Sequence, residues 1–104
     1  MSITNATLAT GAAAAVYTSS GSSAITTMYL CNRTLSPVTV NLFIVTSGLF
    51  ASQTNNMIYS NLVVNSNDTY VMEWERILLN NGDSVQANAS VTNSIVATVS
   101  YTGI

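Results

Sequence analysis

The sequence predicts an all-β protein: an antiparallel β-sandwich, jelly-roll or Ig-like, of seven to eight short strands. Three observations carry that prediction. Apolar residues recur at every second position in most segments. Turn-forming residues punctuate the chain at roughly 8–12-residue spacing. No stretch with helical period exceeds about two turns. At 104 residues the chain is one domain's worth. Residues 1–16 read as an extended N-terminal arm and 17–104 as a single sandwich domain.

The elements follow in order. "MSITNATLATGA" (1–12) and "TSSGSS" (18–23) are small and polar, and flank a short run with one strand ending near Tyr17. "AITTMYLC" (24–31) sets Met28 and Leu30 on one face and Tyr29 and Cys31 on the other. "NRTLSP" (32–37) is a connection, because Pro37 fits only a strand's start or edge. "VTVNLFIVT" (38–46) puts Val38, Val40, Leu42 and Ile44 on one face. "SGLFASQTNN" (47–56) is a longer loop carrying Leu49 and Phe50.

The second half repeats the rhythm. "MIYSNLVV" (57–64) is a strand and "NSND" (65–68) a turn. "TYVMEWE" (69–75) sets Tyr70, Met72 and Trp74 against Glu73 and Glu75. "NNGD" (80–83) turns the chain, with Gly82 free to take a positive φ. "SVQANASV" (84–91) points Val85, Ala87, Ala89 and Val91 inward and Ser84, Gln86, Asn88 and Ser90 outward. "IVATVSYT" (95–102) aligns Ile95, Ala97, Val99 and Tyr101.

Charge is scarce. Charged residues make up 6% of the chain, against about 25% in a typical soluble domain, and Ser, Thr and Asn number about forty. The net charge of −2 argues against a nucleic-acid partner, since neutralising phosphates requires Lys and Arg. No apolar run approaches the ~18–20 residues of a membrane helix, and no polybasic patch suits anionic lipid. No basic leader precedes an apolar core, so a chain made in the cytoplasm without a signal peptide is expected.

The residue inventory excludes most catalysis. With neither His nor Lys, a Ser-His-Asp triad, a Schiff-base lysine and the usual zinc sites are all ruled out. Cys31 has no partner for a disulfide within the chain and reads as a buried, inert thiol. Glu73 and Glu75 sit two apart on one strand face, roughly 6–7 Å between their bases, a spacing some glycosidases use. A solvated face, ion-paired with Arg76 or Arg33, explains them more simply. Asn65, Asn67 and Asp68 offer oxygen ligands for Ca²⁺, but with one full charge they read as a polar turn. Exposed aromatics, with Phe43, Phe50 and Trp74 as candidates, would suit a sugar-binding platform. No enzyme activity, cofactor or metal is expected.

Low charge instead suits a subunit packed among neighbours, because strand edges without Lys are open to pairing. "MYLCNRT", "PVTVNLFIV", "LLNNGDSVQANAS" and the terminal "ATVSYTGI" together resemble a group of small structural proteins of tailed-phage virions. The elements of the likeness are Tyr29–Asn32, Val38–Val45, Leu79–Ser84, Val85–Val91 and Ala97–Ile104, within residues 16–104. The chain departs from that pattern in "EWERILL" and in its N-terminal arm. The resemblance implies a non-enzymatic virion protein without cofactor. Capsid decoration (cement) is the first expectation, with the major capsid protein or tail and neck proteins as partners. A tail, neck or fibre accessory role and a receptor- or glycan-binding module are the alternatives. A homo-oligomer, with a trimer as candidate closed form, is expected. The expected interface is the arm, with Met1, Ile3 and Leu8, and then Leu49 and Phe50 of the 47–56 loop. On that reading, removing residues 1–12 weakens attachment and leaves the domain folded.

Overall fold

A computed structural model describes residues 2–52 and 55–103, with side chains at all of these except 73–76. Within them the chain forms eight strands: β1 (Ser2–Thr7), β2 (Ala14–Thr18), β3 (Ser23–Asn32), β4 (Val38–Val45), β5 (Met57–Val64), β6 (Thr69–Leu79), β7 (Ser84–Ala89) and β8 (Ile95–Gly103). They make two four-stranded sheets, ordered β1-β8-β3-β6 and β2-β7-β4-β5. Every pairing is antiparallel.

One rule generates that order. The first strand pairs with the last, β2 with β7, β3 with β6 and β4 with β5. This is a long hairpin whose tip is the 46–56 loop. Rolling the hairpin adds β3–β8 and β4–β7 and closes two sheets over one core. The result is the eight-stranded jelly-roll arrangement of a β-sandwich, which settles the two sandwich types expected from sequence in favour of the first.

The core follows the period-2 pattern. Met28, Leu30, Val38, Val40, Leu42, Val85, Ala87, Ile95, Ala97 and Val99 are all buried. Several details differ from the alternation: Ser84, expected outward, is buried, and Val45 is buried where Ile44, expected inward, is half-buried. Phe43, on the opposite face of β4 from Leu42, is also buried, outside the central cluster. Val91 is exposed because β7 ends at Ala89 and the chain turns at 90–93. Cys31 is only half-buried, on the outer face of the first sheet.

The N-terminal segment is the largest correction. Residues 2–16 do not extend from the domain. β1 completes the first sheet against β8, in register from Ser2↔Tyr101 to Thr7↔Val96. Leu8 and Val16 are in the core. The segment looks loose in sequence because its inward residues, Thr4 and Ala6, are small; β8 supplies the ladder that a bulky strand would otherwise advertise. Tyr17 of β2 stacks on Tyr101 of β8, with ring centroids 4.2 Å apart, and ties the two sheets together.

Four crossovers between sheets lie at one end, and Asn32 is buried among them. It is the one fully buried amide side chain among the described residues. Its Nδ2 donates to the carbonyls of Ser36 (2.8 Å) and Val64 (2.9 Å). Its Oδ1 accepts from the Thr34 amide (2.9 Å) and hydroxyl (2.7 Å). The Val64 bond crosses from β3 in one sheet to β5 in the other.

Two outcomes are expected. Asn32→Ala gives up the four hydrogen bonds of a buried amide and lowers stability by about 2–4 kcal/mol, read as a lower urea midpoint at unchanged slope. Deleting residues 1–12 removes β1 and Leu8 from the core, so the truncated chain loses cooperative stability by the same measurement. A truncated domain of full stability would show that β1 is dispensable to the sandwich.

Candidate interface surface

The end opposite Asn32 gathers the turns at 19–22, 46–49 and 80–83, the first and last of which also cross between the sheets. Asp83 holds them together. Its Oδ2 accepts from the Asn80 amide (3.0 Å) and its Oδ1 from the Ser47 amide (2.9 Å). Its backbone carbonyl accepts from Ser19 N, and Gly82 N donates to Ser19 O. Gly82 has φ +88°, and a Cβ there would meet Ser47 Oγ at 2.5 Å. A hydroxyl chain backs this end. Ser19 spends its proton on the Gly21 carbonyl, so Ser23 must donate to Ser19 and accept from Tyr17.

The 47–56 loop rises from this frame as the tip of the rolled hairpin. Leu49 is 59% and Phe50 87% exposed. A hollow of about 430 Å³ is lined by Gly48, Leu49, Phe50, Ala51, Ser52, Asn55 and Asn56. Asn56 braces it: Nδ2 donates to the Phe50 carbonyl (2.9 Å), and Oδ1 accepts from Ser52 N (2.7 Å). The loop thus presents its two apolar side chains on a hydrogen-bonded base.

The remaining interface residues fall elsewhere. Ile3 is 65% exposed at the free edge of the first sheet, away from the loop on the second. Leu8 is buried in the core and is not available to a partner. Met1 lies outside the described residues. Sequence reasoning missed Leu35, 87% exposed in the β3–β4 connection, and Leu78, 63% exposed on β6. Their apolar character carried no signal, because each sits beside residues read as turn or core.

The chemical candidates divide similarly. The Glu73, Glu75, Trp74 and Arg76 side chains lie outside the described residues; their backbone belongs to β6, an edge strand. Among the described residues no group of three His, Cys, Asp or Glu could hold a metal ion. Asp68 turns its Oδ1 to the Thr69 amide (2.8 Å), and Asn67 takes φ 51°, as a tight turn requires. Phe43 is buried and offers no stacking face; Phe50 does, and so does Tyr29, 42% exposed.

No family model, curated protein or solved structure matches this chain. The fold is therefore defined by its own strand order, as an eight-stranded jelly-roll sandwich with an apolar loop tip.

The turn frame makes a direct prediction. Gly82→Ala forces an L-residue into the left-handed region against Ser47 and costs about 1–2 kcal/mol by chemical denaturation. In a Ser47→Ala background the cost shrinks, because the Oγ contact is gone; equal costs in both backgrounds would show that the close approach contributes nothing.

Proposed function

We infer that this protein is a non-enzymatic structural subunit of a tailed-phage virion, a decoration protein that reinforces the shell by bridging neighbouring subunits. One observation carries the reading. Among the described residues eleven large apolar side chains are exposed, while the entire chain has six charged residues. A free monomer with that balance is poorly defended against association; a subunit covered by neighbours is not. The jelly roll is an architecture of viral capsid, lectin and cupin domains, which supports the reading by analogy of fold alone. The likeness of "LLNNGDSVQANAS" and its flanking strands to small virion proteins supports it independently.

The mechanism is mechanical. Each apolar contact contributes about 25 cal/mol per Å² buried, and many copies on one lattice convert weak contacts into firm attachment. Leu49 and Phe50 are the contacts best placed for this, at the tip of a braced loop.

Phage particles released by cells that carry the gene are the test material. Quantitative mass spectrometry of density-banded shells and separated tails should find the chain at fixed stoichiometry with shells. The Leu49→Ser, Phe50→Ser variant should be lost from particles while its melting temperature stays within a few degrees, since both residues are exposed. Recovery with tails would move the protein to an accessory tail role. Absence from every particle fraction would end the virion reading.

A further inference from the structure

The sandwich has four edge strands, and three are defended. β2 carries an extra residue at Val16, where its register against β7 shifts between Ala15 and Tyr17. β5 is interrupted twice against β4, once around Asn61, which sits at φ 52°. β6 is interrupted against β3 between Glu73 and Ile77 and carries Glu73, Glu75 and Arg76. Bulges and charges are the ordinary means by which proteins block edge pairing. β1 has neither. Its six residues, "SITNAT", run in unbroken register against β8 and contain no charge and no proline.

The free edge of β1 can be resolved residue by residue. Leu8 N donates to Ile95 O, one position beyond the Thr7↔Val96 pair. In an antiparallel ladder bonded and non-bonded pairs alternate. Ser2, Thr4 and Ala6 therefore spend their backbone groups on β8. Ile3, Asn5 and Thr7 turn their N–H and C=O groups outward. Asn5 Nδ2 donates to Thr98 Oγ1 (2.8 Å), which holds its side chain over its own sheet and clear of the edge.

From this geometry we propose that β1 is a self-association edge: two copies pair antiparallel across a two-fold axis through Asn5 and join their first sheets into one of eight strands. The inference rests on the reading of the chain as a subunit among neighbours and names its contact. Self-pairing sets Asn5 opposite Asn5 and Ile3 opposite Thr7, with two backbone bonds available at each pair. No like charges meet, because the edge has none. The pairing also covers Ile3, which within one chain has the polar Ser100 as its cross-strand neighbour. A second copy brings Thr7 directly opposite and Val96 one strand beyond. The same junction at β6 would set a charged, interrupted strand against itself.

A six-residue junction buries far less than the roughly 1,200–2,000 Å² of a stable interface. The isolated pair is accordingly weak, and many copies on a lattice enforce it. The symmetry is two-fold, so this edge makes a dimer and not a three-fold ring.

The test combines solution mass with amide exchange on the full chain. Light scattering over a concentration series should show the mass doubling. Exchange followed by NMR should show Thr4 and Ala6 amides protected at every concentration, and Ile3, Asn5 and Thr7 amides protected only where the dimer is populated. Asn5→Pro removes a donor that the ladder to β8 does not use. It should weaken association at least about thirtyfold, two donors being lost per junction. Ile3→Lys should do the same by charging the edge, should proline perturb the fold.

A chain that stays monomeric at NMR concentrations overturns the proposal. So does a dimer in which Ile3, Asn5 and Thr7 amides remain unprotected. Protection of those amides only when phage particles are added would assign the edge to a foreign strand and overturn self-pairing. A monomer that still decorates particles refutes the junction alone; a β1-paired dimer absent from particles keeps the junction and ends the virion reading.

Discussion

The Asn32 amide is the point on which the roll closes. Four crossovers between the sheets lie at its end of the sandwich, and its amide ties their backbone together. A single buried side chain satisfies Ser36 and Val64 and accepts twice from Thr34. An apolar residue would fill the space and give up all four of these bonds, at a cost that a domain of this size carries poorly. The bond to Val64 also fixes where β5 sits relative to β3, and hence how the two sheets face each other. At the far end Asp83 plays a similar part with three turns, using an exposed carboxylate where Asn32 uses a buried amide.

The distribution of charge follows from this architecture. Asp68 and Asp83 serve turns through their carboxylate oxygens. Arg33 spends its Nε on the Asn93 carbonyl (2.9 Å). Glu73, Glu75 and Arg76 belong to β6, the longest edge strand, where interruption of the ladder and charge coincide. The remaining surface is built from Ser, Thr, Asn and exposed apolar side chains. Charge in this chain is thus spent on corners and one edge, leaving the faces and the β1 edge neutral.

Much of this was legible in the sequence. β8, β7 beyond Ser84 and the second half of β3 alternate cleanly because each is flanked on both sides by other strands and has one face in the core. The turns at 65–68 and 80–83 were visible in Asn67, Gly82 and Asp83. The N-terminal strand was not, because an edge strand with small inward residues leaves no apolar period to count. Leu8 looked like part of a free arm because the ladder that buries it lies more than eighty residues away. Phe43 broke the pattern for the opposite reason, being covered on the face that alternation assigns to solvent. Of the interface candidates, Leu49 and Phe50 drew notice as bulky residues in a predicted loop, and both are exposed there.

The pairing rule that makes the roll also sets the order in which it can assemble. β1, β2 and β3 find their partners among β6, β7 and β8, so none of the first three strands can pair natively until the chain has been made well past its midpoint. Only β4 and β5 are neighbours in both sequence and sheet, which makes their hairpin the one local nucleus. Every later pairing closes a longer loop, with the entropic delay that non-local β topologies carry. During synthesis β1 and β2 wait as an uncharged, unpaired segment. Its paucity of bulky apolar residues, which hid β1 from sequence reading, is also what lets it wait without sticking to itself.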